Sequence, residues 1–481
     1  MAGVLKCWAL AGTLLLAGCG DEESGPIAVA AIGGPPRIAN PNLERLDAPT
    51  SFAMQAAAQG LVRFDASGEI EPALAQRWIV SDDGRRYIFR LARAEWPGGG
   101  RVTAEQVAAR LRAAASPASK NPLKPLLGAI EEIVAVSEVI EISLHSPRPN
   151  FLQLLAQPEM AIVRNGRGSG PYRTETRGDG GLVLTLPAPP QDEEEVEREA
   201  APPEVVVTGA RAPVAVARFA EREADLVLGG TVGDLPIARA ARVAGAQLVF
   251  DPAAGLFGLS FGSAEGRLAR PEVRQALAMA IDRPALLATL GVPGLQAQES
   301  FFVPGIEGLA PALPAWAALP LGERRAAARA TLSQEPERLR LRVAMPDGPG
   351  YRLVFAHLAR DWAAVGVAAE RVALTDAAEL RLIDTVAPLA LASWYLRHFA
   401  CNASRICDPA ADEMLAAARI APTAANRRGL LANADRIMTA ATPFIPLASP
   451  VRWSLVSPRL TGFRPNRFAR HSPAELIRRD P

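Results

Sequence analysis

Trp78-Ile79-Val80-Ser81-Asp82-Asp83-Gly84-Arg85-Arg86-Tyr87-Ile88-Phe89-Arg90-Leu91 reads as two strands joined by a tight turn. An Asp-Gly pair between two runs of strand-forming residues is a strong hairpin signal, and Tyr87, Phe89 and Leu91 alternate with polar or exposed positions, as a half-buried strand requires. Upstream, Leu61-Val62-Arg63-Phe64 runs into the turn residues Asp65-Ala66-Ser67-Gly68, so 60–91 is predicted to be an antiparallel meander. Downstream, Thr103-Ala104-Glu105-Gln106 has the form of a capping box, which opens a helix carrying Val107 and Leu111 on one face.

The later chain supplies helices with their own stops. In Pro271-Glu272-Val273-Arg274-Gln275-Ala276-Leu277-Ala278-Met279-Ala280-Ile281-Asp282 a proline stands in the first turn, and the apolar residues repeat at helical spacing. Asp282 then caps a second helix, 284–290, which Gly291 ends. Further helices are predicted over 322–332, 352–365 and 412–418, and strands over 27–32, 339–344 and 444–447. Interleaved strands and helices place the chain in the mixed α/β class.

At the N-terminus, Lys6 precedes a short apolar run, then Leu16-Ala17-Gly18-Cys19 and a polar stretch. A charged start, a short apolar segment and small residues before the cut describe a secretory signal over 1–18. The run covers roughly 16 Å, too little for a membrane-spanning helix. Leu16-Ala17-Gly18-Cys19 also resembles a bacterial lipobox, so Cys19 is expected to be lipidated, with 19–26 as a tether holding the protein on a membrane surface.

The 481 residues are 49% hydrophobic and 21% charged with a net charge of +1, a globular composition long enough for two or three cores. Nucleic acid is disfavoured as a partner, because phosphate binding needs a basic surplus. The stretch Gln191-Asp192-Glu193-Glu194-Glu195-Val196-Glu197-Arg198-Glu199, bordered by prolines, marks an acidic insertion over 189–203. Cys401 and Cys407 remain once Cys7 and Cys19 are accounted for. In an exported chain a small-loop disulfide is the default over two free thiols, and the spacing is not one that zinc uses.

Motifs for catalysis are sparse. Gly258-Leu259-Ser260-Phe261-Gly262 has the spacing of a serine-hydrolase elbow, yet a Gly-containing loop follows it where a helix should begin. The four histidines, His145, His357, His398 and His471, form no zinc pair, and no phosphate loop ending in Gly-Lys-Ser/Thr is present. No cofactor or metal is expected, and binding is favoured over catalysis.

Many short motifs, in order, resemble the peptide/nickel family (family 5) of extracellular solute-binding proteins of ABC importers. They include Leu61-Val62-Arg63-Phe64-Asp65, Glu71-Pro72-Ala73-Leu74-Ala75, the hairpin above, Trp96-Pro97, Gly168-Ser169-Gly170-Pro171-Tyr172, Val273-Arg274-Gln275-Ala276-Leu277 with Ala280-Ile281-Asp282-Arg283, and Pro443-Phe444-Ile445-Pro446-Leu447. The resemblance implies a two-lobed periplasmic-binding-protein fold, class II-like with an extra subdomain, whose lobes close on a ligand about a hinge. By analogy lobe I comprises 27–259 plus 448–481, with the meander subdomain at about 52–160, and lobe II comprises 260–447. It also implies a monomer that delivers a peptide or small solute to an inner-membrane permease and its ATPase subunits. A tethered co-receptor that signals without transport needs the same cleft, and a hydrolase using Ser260 is the enzyme alternative.

The resemblance singles out Ala392-Ser393-Trp394-Tyr395-Leu396-Arg397-His398. Peptide-binding relatives carry a tryptophan here, with an aspartate three residues later that pairs with the ligand's ammonium. Trp394 matches, but Arg397 stands at the aspartate position. A guanidinium offers a planar fork for carboxylate or phosphate and repels an ammonium. Arg397 and Trp394 are therefore ligand-binding candidates for an anionic or carboxylate-bearing solute. Alternatively, Arg397 pairs with Asp408 or Asp412 and Trp394 and Tyr395 pack the lobe. Ser393, Tyr395, His398, Phe301 and Ser449 are further cleft candidates by analogy, each with a core or surface reading beside it. Gly262 stands where relatives often carry asparagine, and Pro97-Gly98-Gly99-Gly100 replaces their Asp-Gly turn.

Overall fold

The structure is a computed structural model that describes residues 25–148, 150–187, 203–334 and 337–477. The expected signal, the Cys19 lipidation site and the acidic insertion apart from Pro203 lie outside these residues. Among the described residues, no helix is long and apolar enough to cross a membrane.

Two sheets organise the chain. The first has seven strands, in the order Arg173–Thr176, Leu182–Thr185, Val205–Ala210, Ile27–Ile32, Leu226–Thr231, Arg452–Val456 and Leu248–Asp251. Ile27–Ile32 runs parallel to both of its neighbours, which explains why its sequence is apolar throughout rather than alternating. The second sheet has five strands, in the order Ala368–Val372, Arg340–Ala344, Leu380–Val386, Gly255–Phe261 and Phe444–Ala448. The helix Pro349–Ala363 carries the chain from Arg340–Ala344 to the parallel edge strand Ala368–Val372.

The chain crosses between the sheets twice, from Asp251 to Gly255 and back from Ala448 to Arg452. Both crossings lie a few residues from the expected boundaries. The expected break between Leu259 and Ser260 falls inside Gly255–Phe261, all of which pairs with Leu380–Val386 of the second sheet. Hydrogen bonding along a strand ties every residue of it to one lobe.

Side chains at these crossings tie the lobes together. Arg452 of the first sheet donates to Asp384 Oδ1 of the second at 2.7 Å, and within the second lobe Tyr351 donates its hydroxyl proton to Asp384 Oδ2 at 2.8 Å. At the start of Pro349–Ala363 the Gly350 N–H donates to the Gly233 carbonyl at 2.9 Å. A Cβ on Gly350 would lie 1.7 Å from the Val232 carbonyl oxygen, so only glycine allows the second lobe's helix to meet the first lobe's backbone here.

The meander forms its own four-stranded antiparallel sheet, in the order Ala75–Val80, Arg86–Leu91, Val139–Leu144 and Ile130–Val136. Tyr87, Phe89 and Leu91 are buried, as the alternation predicts. Helix Ala104–Ala115 begins with the complete Thr103–Gln106 capping box and lays Val107 and Leu111 on this buried face. The apolar core of the meander continues into the second lobe through Leu389, Leu391, Tyr395 and Leu415. Polar contacts line the same seam: Ser146 Oγ donates to the Arg419 carbonyl at 2.6 Å, Asn150 Nδ2 to the Ala390 carbonyl, and Ala390 N to Gln153 Oε1 at 3.2 Å.

The motif around Pro271–Met279 has a structural cause. Arg274 is 3% exposed and donates to the carbonyls of Leu268, Ala269, Ala441 and Thr442, thereby holding the C-terminal end of helix Ala424–Ala441. Arg283, equally buried, donates to the Pro446 carbonyl at 2.8 Å and the Ala278 carbonyl at 3.2 Å.

Candidate functional site

Helix Ala392–Arg397 starts where Ala392 N donates to Glu307 Oε2 at 2.9 Å. One turn then presents Trp394, Arg397 and His398 to a cavity of about 530 Å³. Ser260, Gly262 and Arg381 from the second sheet line another side, Ser404 and Arg405 a third, and Leu126 of the meander closes it across the seam. Such a volume suits a small solute.

The charge of this lining is one-sided. It contains Arg381, Arg397, Arg405 and His398, and no Asp or Glu. Arg381 is occupied by the carbonyls of Leu374 and Asp376. The Arg397 guanidinium has no hydrogen bond or ion pair among the described residues, and its buried Nε is without a partner. Burial, and then the neighbouring charges of Arg419 and Arg427, push its pKa down to about 10. The alternative pairing with Asp408 or Asp412 is not formed. Asp408 caps its helix by accepting Ala410 N at 2.9 Å, and Asp412 accepts Cys401 N at 3.0 Å. Cys401 and Cys407 are joined by a disulfide with Cα atoms 5.0 Å apart, which fixes the loop bearing Ser404 and Arg405.

Aromatic contacts hold the rest of the turn. Trp394 meets Tyr395 edge-on at 4.8 Å between centroids and His398 edge-on at 4.5 Å. His398 Nδ1 lies 2.9 Å from the Trp394 carbonyl, which assigns the proton to Nδ1 in the neutral ring, and burial lowers its pKa.

The other four sequence candidates do not line the cavity. Ser393 is buried and accepts from Arg427 at 3.4 Å. Tyr395, 1% exposed, packs on Phe302 at 5.9 Å, and burial raises its pKa. Phe301 sits in an aromatic cluster with Phe399 and Phe444, at 5.1 and 6.3 Å. Ser449 accepts from Gln298 Nε2 at 2.9 Å near the return crossing. Neighbours in a helix point to different sides, so sequence proximity to Trp394 did not place Ser393 and Tyr395 in the cavity.

Ser260 lies within a strand paired on both sides and donates its hydroxyl proton to the Arg381 carbonyl at 3.2 Å. It is not on a strand-to-helix elbow, because the helix Pro271–Met279 begins eleven residues later and a loop with one short 3₁₀ turn intervenes. No group of three metal-ligating side chains occurs among the described residues. Arg381, Ser404, Arg405 and Leu126 were missed from sequence. Arg381 carried one faint signal, a charge interrupting the apolar run Leu380-Arg381-Leu382-Ile383.

Comparison with known proteins gives a consistent picture. The family model described as bacterial extracellular solute-binding proteins, family 5 middle, matches residues 69–399. A Pseudomonas aeruginosa protein named probable di/tripeptide-binding protein 5 is 24% identical over 85% of this chain and 88% of its own. Three other curated relatives match over only 21 to 26% of their own length. Among solved structures, Haemophilus influenzae OppA in complex with the peptide RPPGFSPFR superposes with a TM-score of 0.80 at 17% identity, covering 95% of this chain and 99% of that one. Escherichia coli MppA, titled a murein tripeptide binding protein, gives 0.79 at 21% identity over 94% and 98%. The unliganded open form of MppA gives 0.68 at 20% identity over 94% and 97%.

Proposed function

We propose, from the premise that this chain belongs to family 5 of the bacterial extracellular solute-binding proteins, that it captures a small carboxylate-bearing solute, a peptide or a related molecule, between its lobes. Members of this family bind peptides or related ligands for ABC import, and the relatives found are binding proteins rather than enzymes. The single observation that carries the anionic preference is the cavity lined by three arginines and no carboxylate, with the Arg397 guanidinium lacking any partner among the described residues. A buried cation without a counter-ion is costly, and a ligand carboxylate would offset that cost with charge-assisted hydrogen bonds. Trp394 supplies an apolar wall and His398 a neutral ring beside it. A di- or tripeptide ends in the group this cavity suits. Lipidation at Cys19 would keep the loaded protein at the membrane where a permease receives the solute.

The test is native mass spectrometry of the chain from Gly20 onward, compared with the same sample denatured. An acidic solute released on denaturation is expected, and Arg397→Asp should carry none. An equal mass excess in that variant would refute the reading.

A further inference from the structure

A second positive charge lies behind the wall of the same cavity, on the other side of the seam. Arg148 follows the strand Val139–Leu144 of the meander, is 8% exposed, and has a buried Nη1 without a hydrogen-bond partner. Its Nη2 donates only to the Arg419 carbonyl, at 3.0 Å. Leu126 lines both the large cavity and the void of about 20 Å³ beside Arg148, so the two spaces share a wall, and the charge of Arg397 is felt at Arg148.

The surrounding charges do not satisfy it. Burial, then Arg427, Arg397 and Arg419, hold the Arg148 pKa down at about 10, and among the leading influences Glu307 alone acts in the other direction. Glu307 is already taken, accepting from Arg427 Nε at 3.0 Å and from Ala392 N at 2.9 Å. Arg148 and Arg397 are thus two cations brought together from the meander and the second lobe, with no ion pair to either among the described residues.

Resting on the anion-binding reading above, we propose that Arg148 is a specificity-determining residue whose charge acts through the Leu126 wall, so that the cavity takes a doubly negative ligand in preference to a singly negative one. The shared chemistry is a dianion, either one phosphate-like group or two carboxylates. By Coulomb's law at an effective dielectric of about 20, one unit charge at on the order of 10 Å changes binding of a monoanion about tenfold, and such a field acts twice on a dianion.

Calorimetry with glutarate, its monoamide glutaramate and inorganic phosphate tests this. Glutarate and glutaramate share size and differ by one charge. The wild type is expected to bind glutarate more tightly than glutaramate, and Arg148→Gln to weaken glutaramate about tenfold and glutarate about a hundredfold. Arg148→Lys, which keeps the charge, should restore the discrimination, and this separates electrostatics from a folding defect. Phosphate binding more tightly than glutarate would identify the compact dianion, and the reverse order the spaced pair. Equal affinities of the two organic probes in the wild type, or equal losses in Arg148→Gln, overturn the proposal. Binding that depends on Arg397 but not on Arg148 removes only this inference, whereas probes indifferent to Arg397→Gln remove the proposed function as well.

Discussion

Arg397→Met should make the unliganded protein more stable while it destroys ligand capture. Burial, chiefly, pushes the guanidinium pKa well below the ordinary arginine value, down to about 10, at this site. Each unit corresponds to about 1.4 kcal/mol, so holding the side chain charged at pH 7 costs the folded state at most about 3 kcal/mol. Water entering the cavity reduces that figure, and about 1–2 kcal/mol is the expected gain on removal. Methionine retains much of the apolar stem, so little packing is lost. The sign follows from proton binding. Between the folded value near 10 and the higher, ordinary arginine value the unfolded chain binds more protons, so wild-type stability rises with pH there, and the penalty is present in full below that window. The advantage of the variant should therefore be level from pH 6 to about 9 and shrink above it. Scanning calorimetry of ligand-free protein should show a midpoint raised by roughly 2–6 °C, for an unfolding unit of about 200 residues. Saturating ligand should reverse the order, because only the wild type gains binding energy. A variant less stable than the wild type at pH 7 without ligand would refute the reasoning, since it would mean that Arg397 has a stabilising partner.

Gly350→Ala should cost about 2–4 kcal/mol in urea unfolding or separate the lobes in small-angle scattering, because its methyl would meet the Val232 carbonyl oxygen at 1.7 Å; stability within about 0.5 kcal/mol of wild type and an unchanged scattering profile would contradict the close approach. Burial lowers the His398 pKa, so the unfolded chain takes up a proton near pH 6.5 before the folded one does, and stability should fall as pH drops below that value. His398→Gln should flatten this acid limb, and a limb unchanged in the variant would assign the loss to other groups.

What could be read from sequence was what short-range chemistry controls. The Asp83-Gly84 hairpin, the Thr103–Gln106 box, the helix Pro271–Met279 and the Asp282 cap all appear in the structure, because each depends on residues within one or two turns of itself. The resemblance placed Trp394, Arg397 and His398 together, and these three do share a cavity. It also put forward Phe301, Tyr395, Ser393 and Ser449, whose side chains the tertiary structure turns into the core or toward other polar groups. Facing direction depends on what packs against a helix from elsewhere, and no local pattern encodes that.

The sequence by itself determined the class of fold, the family and the presence of an arginine three residues after Trp394, since composition, order of motifs and residue identity are properties of the chain alone. Only the tertiary structure decided that Arg397 has no acidic partner among the described residues, that Asp408 and Asp412 bond backbone groups instead, and that Arg148 and Leu126 line one void at the seam. The physical reason is that a charge is satisfied or left bare by groups within a few ångströms in space, and Arg148, Arg397 and Arg419 meet only when the meander closes on the second lobe.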